Sequence, residues 1–96
     1  MFRTTLLIAL LATPLAAQDK EMLCTTSAEI VDAAVAERIG GADEETARDN
    51  VVEALPDDKA NFAPAVQPLV EWVYTLEVEQ LTEEVGEAYA EACMAQ

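Results

Sequence analysis

The residues with the clearest chemistry in this chain are its two cysteines, Cys24 and Cys93. Two thiols in an oxidising compartment usually pair, and a chain with only two cysteines leaves one possible pairing. Redox-active pairs typically lie close in sequence, as in C-x-x-C, whereas about 70 residues separate these two. The spacing therefore favours a structural disulfide. Closing a loop of that length contributes roughly 4 kcal/mol in the chain-entropy model.

Residues 1–17 predict export to such a compartment. The chain begins with a positive charge at Arg3, continues with an uncharged apolar run over residues 4–12, and reaches small residues before Gln18. This is the plan of a secretory signal peptide, and we expect cleavage at the end of the segment. The run is shorter than the roughly 20 residues that span a bilayer, so a retained anchor is the less favoured alternative. The expected product is a periplasmic or secreted protein with residues 18–96 as one domain.

Loss of this segment would concentrate negative charge. It would remove Arg3 but no acid, leaving four of the five basic residues beside all 19 acidic ones, a formal charge of −15. Such a surface repels phosphate backbones and anionic head groups, so neither nucleic acid nor a membrane is an expected partner. A basic partner protein would be attracted. The simpler alternative is that the acids only keep a small exported protein soluble.

The chain lacks the residue sets of common enzymes and metal proteins. It has no histidine, which excludes a Ser-His-Asp system at Ser27 and, with both cysteines paired, a Cys/His zinc site. A calcium loop starting at Asp57 fails because its sixth position is Phe62 and its twelfth is Pro68. A pair of carboxylates converging in a cleft is the remaining catalytic alternative. We therefore predict a non-catalytic protein that needs no cofactor or metal ion.

Apolar residues at helical spacing predict two helices in the first half of the domain. The first runs from about residue 19 to 39 and ends at Gly40 and Gly41, which suit a C-terminal cap. The second begins after Asp43, a capping residue, and ends before Pro56. The predicted inner faces are Cys24, Ala28, Val31, Val35 and Ile39 on the first helix and Ala47, Val51, Ala54 and Leu55 on the second.

The C-terminal stretch predicts one long helix from about Pro68 to Met94, because its apolar stripe keeps the same phase throughout. A break near Gln80 is the alternative and would give four helices. Gly86 weakens this helix, and its missing side chain would permit a close approach to the first helix. The predicted stripe contains Val70, Tyr74, Val78, Leu81, Val85, Ala88, Tyr89 and Ala92.

The cysteine pairing fixes how these helices are arranged. A disulfide requires the two Cα atoms to lie within about 7 Å, so the start of the first helix must meet the end of the last. The first and last helices then run antiparallel, side by side. The predicted fold is all-α: a small three-helix bundle, alternatively a four-helix bundle, with a long C-terminal helix and one disulfide between its first and last helices.

Three residues of the C-terminal stretch are candidate interaction or acid-sensing sites. Trp72 and Tyr74 belong to the side-chain types enriched at protein interfaces. We expect Trp72 in the core, whereas core and surface are equally open for Tyr74. Glu77 lies between two apolar positions, and a buried carboxylate there could sense acid. The favoured alternative is an exposed Glu77.

Several features together resemble a broad group of small two-cysteine helical proteins exported by Gram-negative bacteria. These features are a cysteine opening a helix that ends in Arg38, Ile39 and Gly40, an acid-rich second helix, the pair Val73–Tyr74 and a final cysteine. The chain also resembles, more loosely, acid-stress periplasmic chaperones of the HdeA kind and periplasmic immunity proteins that block secreted toxins. The resemblance implies a small disulfide-tied periplasmic domain. We therefore predict a protein-binding module, inhibitor or immunity-like, with an acid-responsive chaperone as the alternative.

Overall fold

The computed structural model describes residues 14–96, with side chains described from residue 18 onward. Most of the predicted signal segment lies outside these residues. The described chain forms four α-helices and two short 3-10 helices and no strand, which confirms the predicted all-α fold. The α-helices are α1 (Pro14–Ile39), α2 (Glu44–Ala54), α3 (Ala63–Val73) and α4 (Glu84–Met94); the 3-10 helices are Asp57–Phe62 and Val78–Gln80.

Within residues 14–96, no helix combines the length and the apolar character that crossing a membrane requires.

The first helix is longer than its predicted extent. It begins at Pro14 rather than near residue 19, because proline fits the first turn of a helix and the alanines that follow are strong helix formers. At its other end Gly41 takes a φ of 94°, the left-handed conformation that glycine adopts without strain. The Ala42 amide then donates to the Glu37 carbonyl at 3.0 Å, and the Gly41 amide donates to the Arg38 carbonyl at 3.0 Å. This paired cap ends α1 where the two glycines predict it.

The second helix has the predicted bounds. The Thr46 amide donates to Asp43 Oδ1 at 2.8 Å, so Asp43 caps α2. This backbone hydrogen bond, together with the Thr46 side chain, lowers the pKa of Asp43, because it stabilises the charged carboxylate. At the other end Leu55 is extended, as expected for a residue before proline, and it stops the helix.

The core lies where α1, α2 and α3 meet and consists mainly of valines. On α3 the three core positions recur at helical spacing and are fully buried: Val66, Val70 and Val73 are each 0% exposed. The facing positions are Ile30, Val31, Ala34 and Val35 on α1 and Ala47 and Val51 on α2. The predicted stripes are therefore right at their centres. They are wrong at Ile39 and Val78, which are 63% and 73% exposed, and at three alanines that are also exposed: Ala54, Ala88 and Ala92.

The long C-terminal helix is interrupted, so the four-helix alternative is correct. Arg38 on α1 causes part of this break: its Nη1 donates to the Val73 carbonyl at 2.8 Å and to the Leu76 carbonyl at 2.7 Å. In a continuous helix these carbonyls would accept from amides four residues later. The Tyr74 hydroxyl also donates to the Ala42 carbonyl at 2.6 Å. These long-range bonds favour the break, although the apolar stripe of residues 68–94 predicts a continuous helix.

The last helix packs antiparallel against the first. Cys24 and Cys93 form the predicted disulfide, with their Cα atoms 5.6 Å apart. Further along the pair, Gly86 faces Asp32: the three heavy atoms nearest to a Cβ built on Gly86 all belong to the Asp32 carboxyl group. As the α1 residue number rises, its α4 neighbour falls, which defines the antiparallel order. The close approach predicted at Gly86 is confirmed.

Candidate binding surface at the helix break

Trp72 lies at the surface, so the predicted core burial is wrong. The ring is 40% exposed, although the neighbouring Val73 is fully buried. The reason is helical geometry: α3 buries the face that carries Val66, Val70 and Val73, and a residue two positions after Val70 points away from that face. Tyr89 on α4 provides the contact instead, with ring centroids 5.8 Å apart and planes at 50°. Trp72 therefore connects α3 to α4 while one side of its ring meets solvent.

The interrupted helix opens a groove beside Trp72, which we call the Trp72 groove. Its volume is about 400 Å³. Apolar atoms of α3, its C-terminal extension and α4 form the floor, and residues of the second 3-10 helix and the start of α4 form the edges. The lining residues are Trp72, Leu76, Glu79, Gln80, Thr82, Glu84, Val85 and Ala88. A continuous helix would have no such groove, because α3 and α4 would share one axis.

The charge around this groove has one sign. Glu79 and Glu84 are its only charged lining residues, and both are exposed. Glu91 follows Ala88 by three positions on α4, so it extends the same helical face. No basic residue lines the groove. An apolar floor with carboxylates at its edge suits a ligand group that is apolar at its centre and cationic around it.

Tyr74 belongs to a corner that holds two chain connections together. Its hydroxyl bonds Ala42 in the connection between α1 and α2, and the Arg38 guanidinium lies over its ring at 5.5 Å from the centroid. Burial raises the pKa of Tyr74, with Glu37 acting in the same direction and Arg38 opposing it. Sequence analysis named Arg38 at the end of the first helix but assigned it no contact. Its position could have indicated a structural role, because Arg38 is one of few basic residues and lies in the last turn of a helix, where a basic side chain can bond to carbonyls.

Glu77 is exposed and begins the second 3-10 helix. Its amide donates to Gln80 Oε1 at 2.8 Å, which fixes the start of that turn. An acid-sensing role would require burial of the carboxylate, which the structure does not provide at this position. The structure thus places Trp72 at the groove and Tyr74 at the corner. Glu77 is exposed in the connection between α3 and α4.

A second groove lies between the end of α1 and the residues before α4. Its volume is about 610 Å³, and its lining is Asp32, Val35, Ala36, Ile39, Gly40, Thr82 and Glu83. It shares Thr82 with the Trp72 groove. Burial, followed by the nearby charges of Glu29 and Glu83, raises the pKa of Asp32. Unlike the Trp72 groove, this one has no exposed aromatic ring.

Two of the four basic side chains of residues 18–96, Arg38 and Lys59, bond to neutral oxygen atoms. Arg38 donates to two carbonyls, Lys59 donates to Thr26 Oγ1 at 3.1 Å, and Lys20 donates to the backbone oxygen of Gln96. Only Arg48 forms an ion pair among these residues, with Glu44 one turn earlier on α2 at 4.0 Å. The bonds of the first three hold one segment to another. Apart from Glu44, the acidic side chains of residues 18–96 have no ion-pair partner among these residues.

The described residues contain no group of His, Cys, Asp and Glu side chains arranged to hold a metal ion. The resemblance to exported two-cysteine helical proteins stays a prediction supported by the residues quoted for it. No protein-family model matches the chain, and comparison with curated proteins and with solved structures finds no significant match.

Proposed function

We propose that this protein is a non-catalytic, exported module that binds a basic protein through its acidic surface, in the manner of an inhibitor or immunity protein. The signal-peptide pattern of residues 1–17 and the Cys24–Cys93 disulfide support a periplasmic or secreted location. The observation that carries the proposal is the excess of acidic over basic residues, together with the bonding of Arg38 and Lys59 to uncharged oxygen atoms, which leaves most acidic side chains without an ion-pair partner among the described residues.

The charge balance makes this observation quantitative. After loss of the signal segment, 19 acidic residues face four basic ones. Two of those four, Arg38 and Lys59, donate to carbonyl or hydroxyl oxygens, and Arg48 alone is paired with an acidic side chain among the described residues. A surface of this kind accelerates encounter with a positively charged partner and repels anionic ones. The resulting association is expected to weaken as salt concentration rises.

The scaffold is suited to binding because it is ordered before the partner arrives. The disulfide ties α1 to α4, and the valine core fixes α1, α2 and α3. A surface held in one arrangement loses little conformational entropy on association. Specificity then comes from exposed apolar residues within the acidic surface, and Trp72 is the largest of these.

A pull-down with charge-matched baits tests this proposal. Purified oxidised protein is immobilised beside a variant in which Glu45, Glu53, Glu79 and Glu84, all exposed, are replaced by Gln. Periplasmic extract of the producing bacterium is applied at low and at high salt. We expect the unsubstituted bait to retain one basic protein at low salt and the variant to retain much less. No retention at low salt, or equal retention on both baits, would contradict charge-driven binding.

The alternative function, an acid-responsive chaperone, requires acid to loosen the domain and expose apolar surface. Asp32 on the α1–α4 contact acts in the opposite direction. Because its pKa is raised in the folded protein, folding through this group is most favourable when it is protonated, and the contribution is lost as pH rises. In addition, only four basic side chains would carry charge on the mature domain once the carboxylates are neutral. Helicity and dye binding between neutral and acid pH would test this alternative.

A further inference from the structure

The Trp72 groove combines three properties that bear on binding. It exposes a large aromatic ring, it has an apolar floor between two helices, and its charged edge residues, Glu79 and Glu84, are both acidic. An isolated exposed apolar residue needs no explanation, but a concave apolar site with an aromatic anchor is typical of binding sites. Tryptophan is also the residue type most enriched at interaction hot spots, together with tyrosine and arginine.

We propose that the Trp72 groove is the docking site for a short amphipathic segment of the basic partner. This proposal rests on the proposed function and adds the location and the chemistry of recognition. The segment carries one or two large apolar side chains flanked by Lys or Arg. The apolar side chains enter the groove against Trp72, Leu76 and Val85, and the flanking cations meet Glu79 and Glu84.

The groove is open to solvent rather than enclosed, which favours side-chain anchors over a small-molecule ligand, because small-molecule sites enclose most of their ligand. A volume of about 400 Å³ accommodates one or two large side chains. On α4, Glu84, Ala88 and Glu91 follow one another on one face. A segment lying along this face can place cations at an interval of about two helical turns, the spacing of Glu84 and Glu91. Helix-in-groove recognition uses the same spacing of anchors and flanking charges.

Charge complementarity selects a basic occupant over a second copy of this chain. Two copies meeting at this groove would bring Glu79 and Glu84 of one copy towards the equivalent carboxylates of the other, within molecules of strongly negative charge. Such an interface has no cations of its own at the groove edge to offset the repulsion. A cationic segment replaces this repulsion with attraction.

Trp72 is the only tryptophan of the chain, so its fluorescence reports on the groove directly. The experiment uses the purified oxidised protein and three short synthetic peptides. Each peptide is made in two forms, without a label and with a fluorescein label. The first contains Leu and Lys, with the leucines at helical spacing. The second has Ser in place of every Leu, and the third has Glu in place of every Lys. Unlabelled peptides serve for Trp72 emission and labelled peptides for fluorescence anisotropy, each at low and high salt.

We expect the Leu/Lys peptide to shift Trp72 emission to shorter wavelength and to bind more tightly than the Ser/Lys peptide. The Leu/Glu peptide is expected not to bind. Trp72→Ala should weaken binding of the labelled Leu/Lys peptide by about tenfold or more, the size typical of a hot-spot residue. Its matched control is Val52→Ala on α2, since Val52 is also 40% exposed but lies away from the groove. That control should change affinity by less than about twofold.

A second pair of variants does not depend on the aromatic ring. Glu79→Gln with Glu84→Gln should weaken binding several-fold at low salt, whereas Glu45→Gln with Glu53→Gln removes the same charge on α2 and should have less effect. Glu45 is a suitable counterpart of Glu84 because both lie in the first turn of their helices.

The outcomes separate the two proposals. If both lysine peptides bind with equal affinity, Trp72 emission does not change and the two pairs of Glu variants behave alike, charge-driven binding stands and the docking site is overturned. If neither lysine peptide binds at low salt, the proposed function fails together with the docking site. If the protein alone dimerises in sedimentation with a concentration-dependent shift of Trp72 emission, the groove belongs to a second copy and the docking proposal is overturned.

Discussion

The two helices of the C-terminal half are held in place by different means. α3 buries three valines completely and belongs to the central core. α4 has the same length but contributes only Gly86 to the fully buried residues, while its larger side chains remain partly or largely exposed. It is attached by the Cys24–Cys93 bond, by the close approach of Gly86 to α1, and by Val85 and Tyr89, which are partly buried against the core. Equal length and similar apolar content therefore do not imply equal burial.

This difference shows how a small domain can leave apolar surface available for binding. A helix that must be held by burial alone has to direct its large apolar residues inward. α4 is also held covalently, so Ala88 can remain exposed in a groove, and Val85 can line that groove while packing only partly against the core. The disulfide therefore relates to the candidate binding surface as well as to stability. The predictions that follow test this contrast between α3 and α4.

The largest effect is expected from removing the disulfide. Replacing Cys24 and Cys93 by Ala should lower the free energy of unfolding by about 4 kcal/mol, because the unfolded chain regains the entropy of a loop of about 70 residues. Urea denaturation measures this loss. Hydrogen exchange should show that α4 amides lose protection well before those of α3. Equal loss of protection in both helices would mean that α4 is not held separately.

A cavity in the core should affect α3 in the complementary way. Val70→Ala removes two carbon atoms from a fully buried site and should lower the free energy of unfolding by about 2.5 kcal/mol, measured by urea denaturation. Val52→Ala is the control, since Val52 is 40% exposed and its loss should cost well under half as much. Similar losses at the two valines would contradict the assignment of α3 to the core.

Arg38→Met should cost about 2 kcal/mol, because the Val73 and Leu76 carbonyls at the end of α3 lose their charged donor. Thermal or urea unfolding measures the change. Arg48→Met on α2 is the matched control, since its single ion pair is long and lies within one helix. That control is expected to cost about 0.5 kcal/mol or less. If the two arginine variants are equally stable, Arg38 does not cause the break between α3 and α4.

The contact between α1 and α4 can be tested by a double-mutant cycle at Gly86 and Asp32. Alanine favours a helix over glycine by about 1 kcal/mol, but at position 86 its Cβ would displace the Asp32 carboxyl group. We expect Gly86→Ala to change stability little in the unsubstituted protein and to stabilise the Asp32→Ala variant by about 1 kcal/mol. The same effect in both backgrounds would show that the two residues do not interact.

The smallest effect is a pH dependence at the same contact. The pKa of Asp32 is raised by burial and by the charges of Glu29 and Glu83, so the folded protein binds this proton more tightly than the unfolded chain does. Asp32→Asn should therefore be more stable than the unsubstituted protein at neutral pH. The difference should close as the pH falls through the raised pKa towards the ordinary value of 3.8. Urea denaturation at several pH values measures it, and a gap that stays constant into acid would contradict the assignment.

The parts of the fold that sequence analysis predicted well depend on local signals. Gly40 and Gly41 end α1, Asp43 caps α2, and Pro56 limits α2, each through the backbone of its immediate neighbours. The disulfide followed from the cysteine count. Local chemistry of this kind is contained in a few adjacent residues, so periodicity and composition reveal it.

The helix break and the position of Trp72 depend on partners distant in sequence. The Arg38 bond to Leu76 spans 38 residues, and the Tyr74 bond to Ala42 spans 32. Neither bond leaves a trace in the apolar stripe, which keeps its phase across the break. Trp72 lies off the buried face of α3, and its partner Tyr89 comes from α4, on the other side of the break. The groove that results is therefore a tertiary feature, and predicting it requires the contacts of Arg38 in advance.

The corner formed by Arg38, Tyr74 and Ala42 also determines where sequence can be added to this protein. The hydroxyl of Tyr74 holds the connection after α1 through its hydrogen bond to Ala42. A fluorescent tag or epitope inserted within residues 40–43 would disturb this bond, and with it the end of α3 beside the Trp72 groove. The exposed pair Asp57 and Asp58 has no such long-range attachment among the described side chains, and lies in a different connection. Labels for microscopy or surface immobilisation therefore belong at that pair.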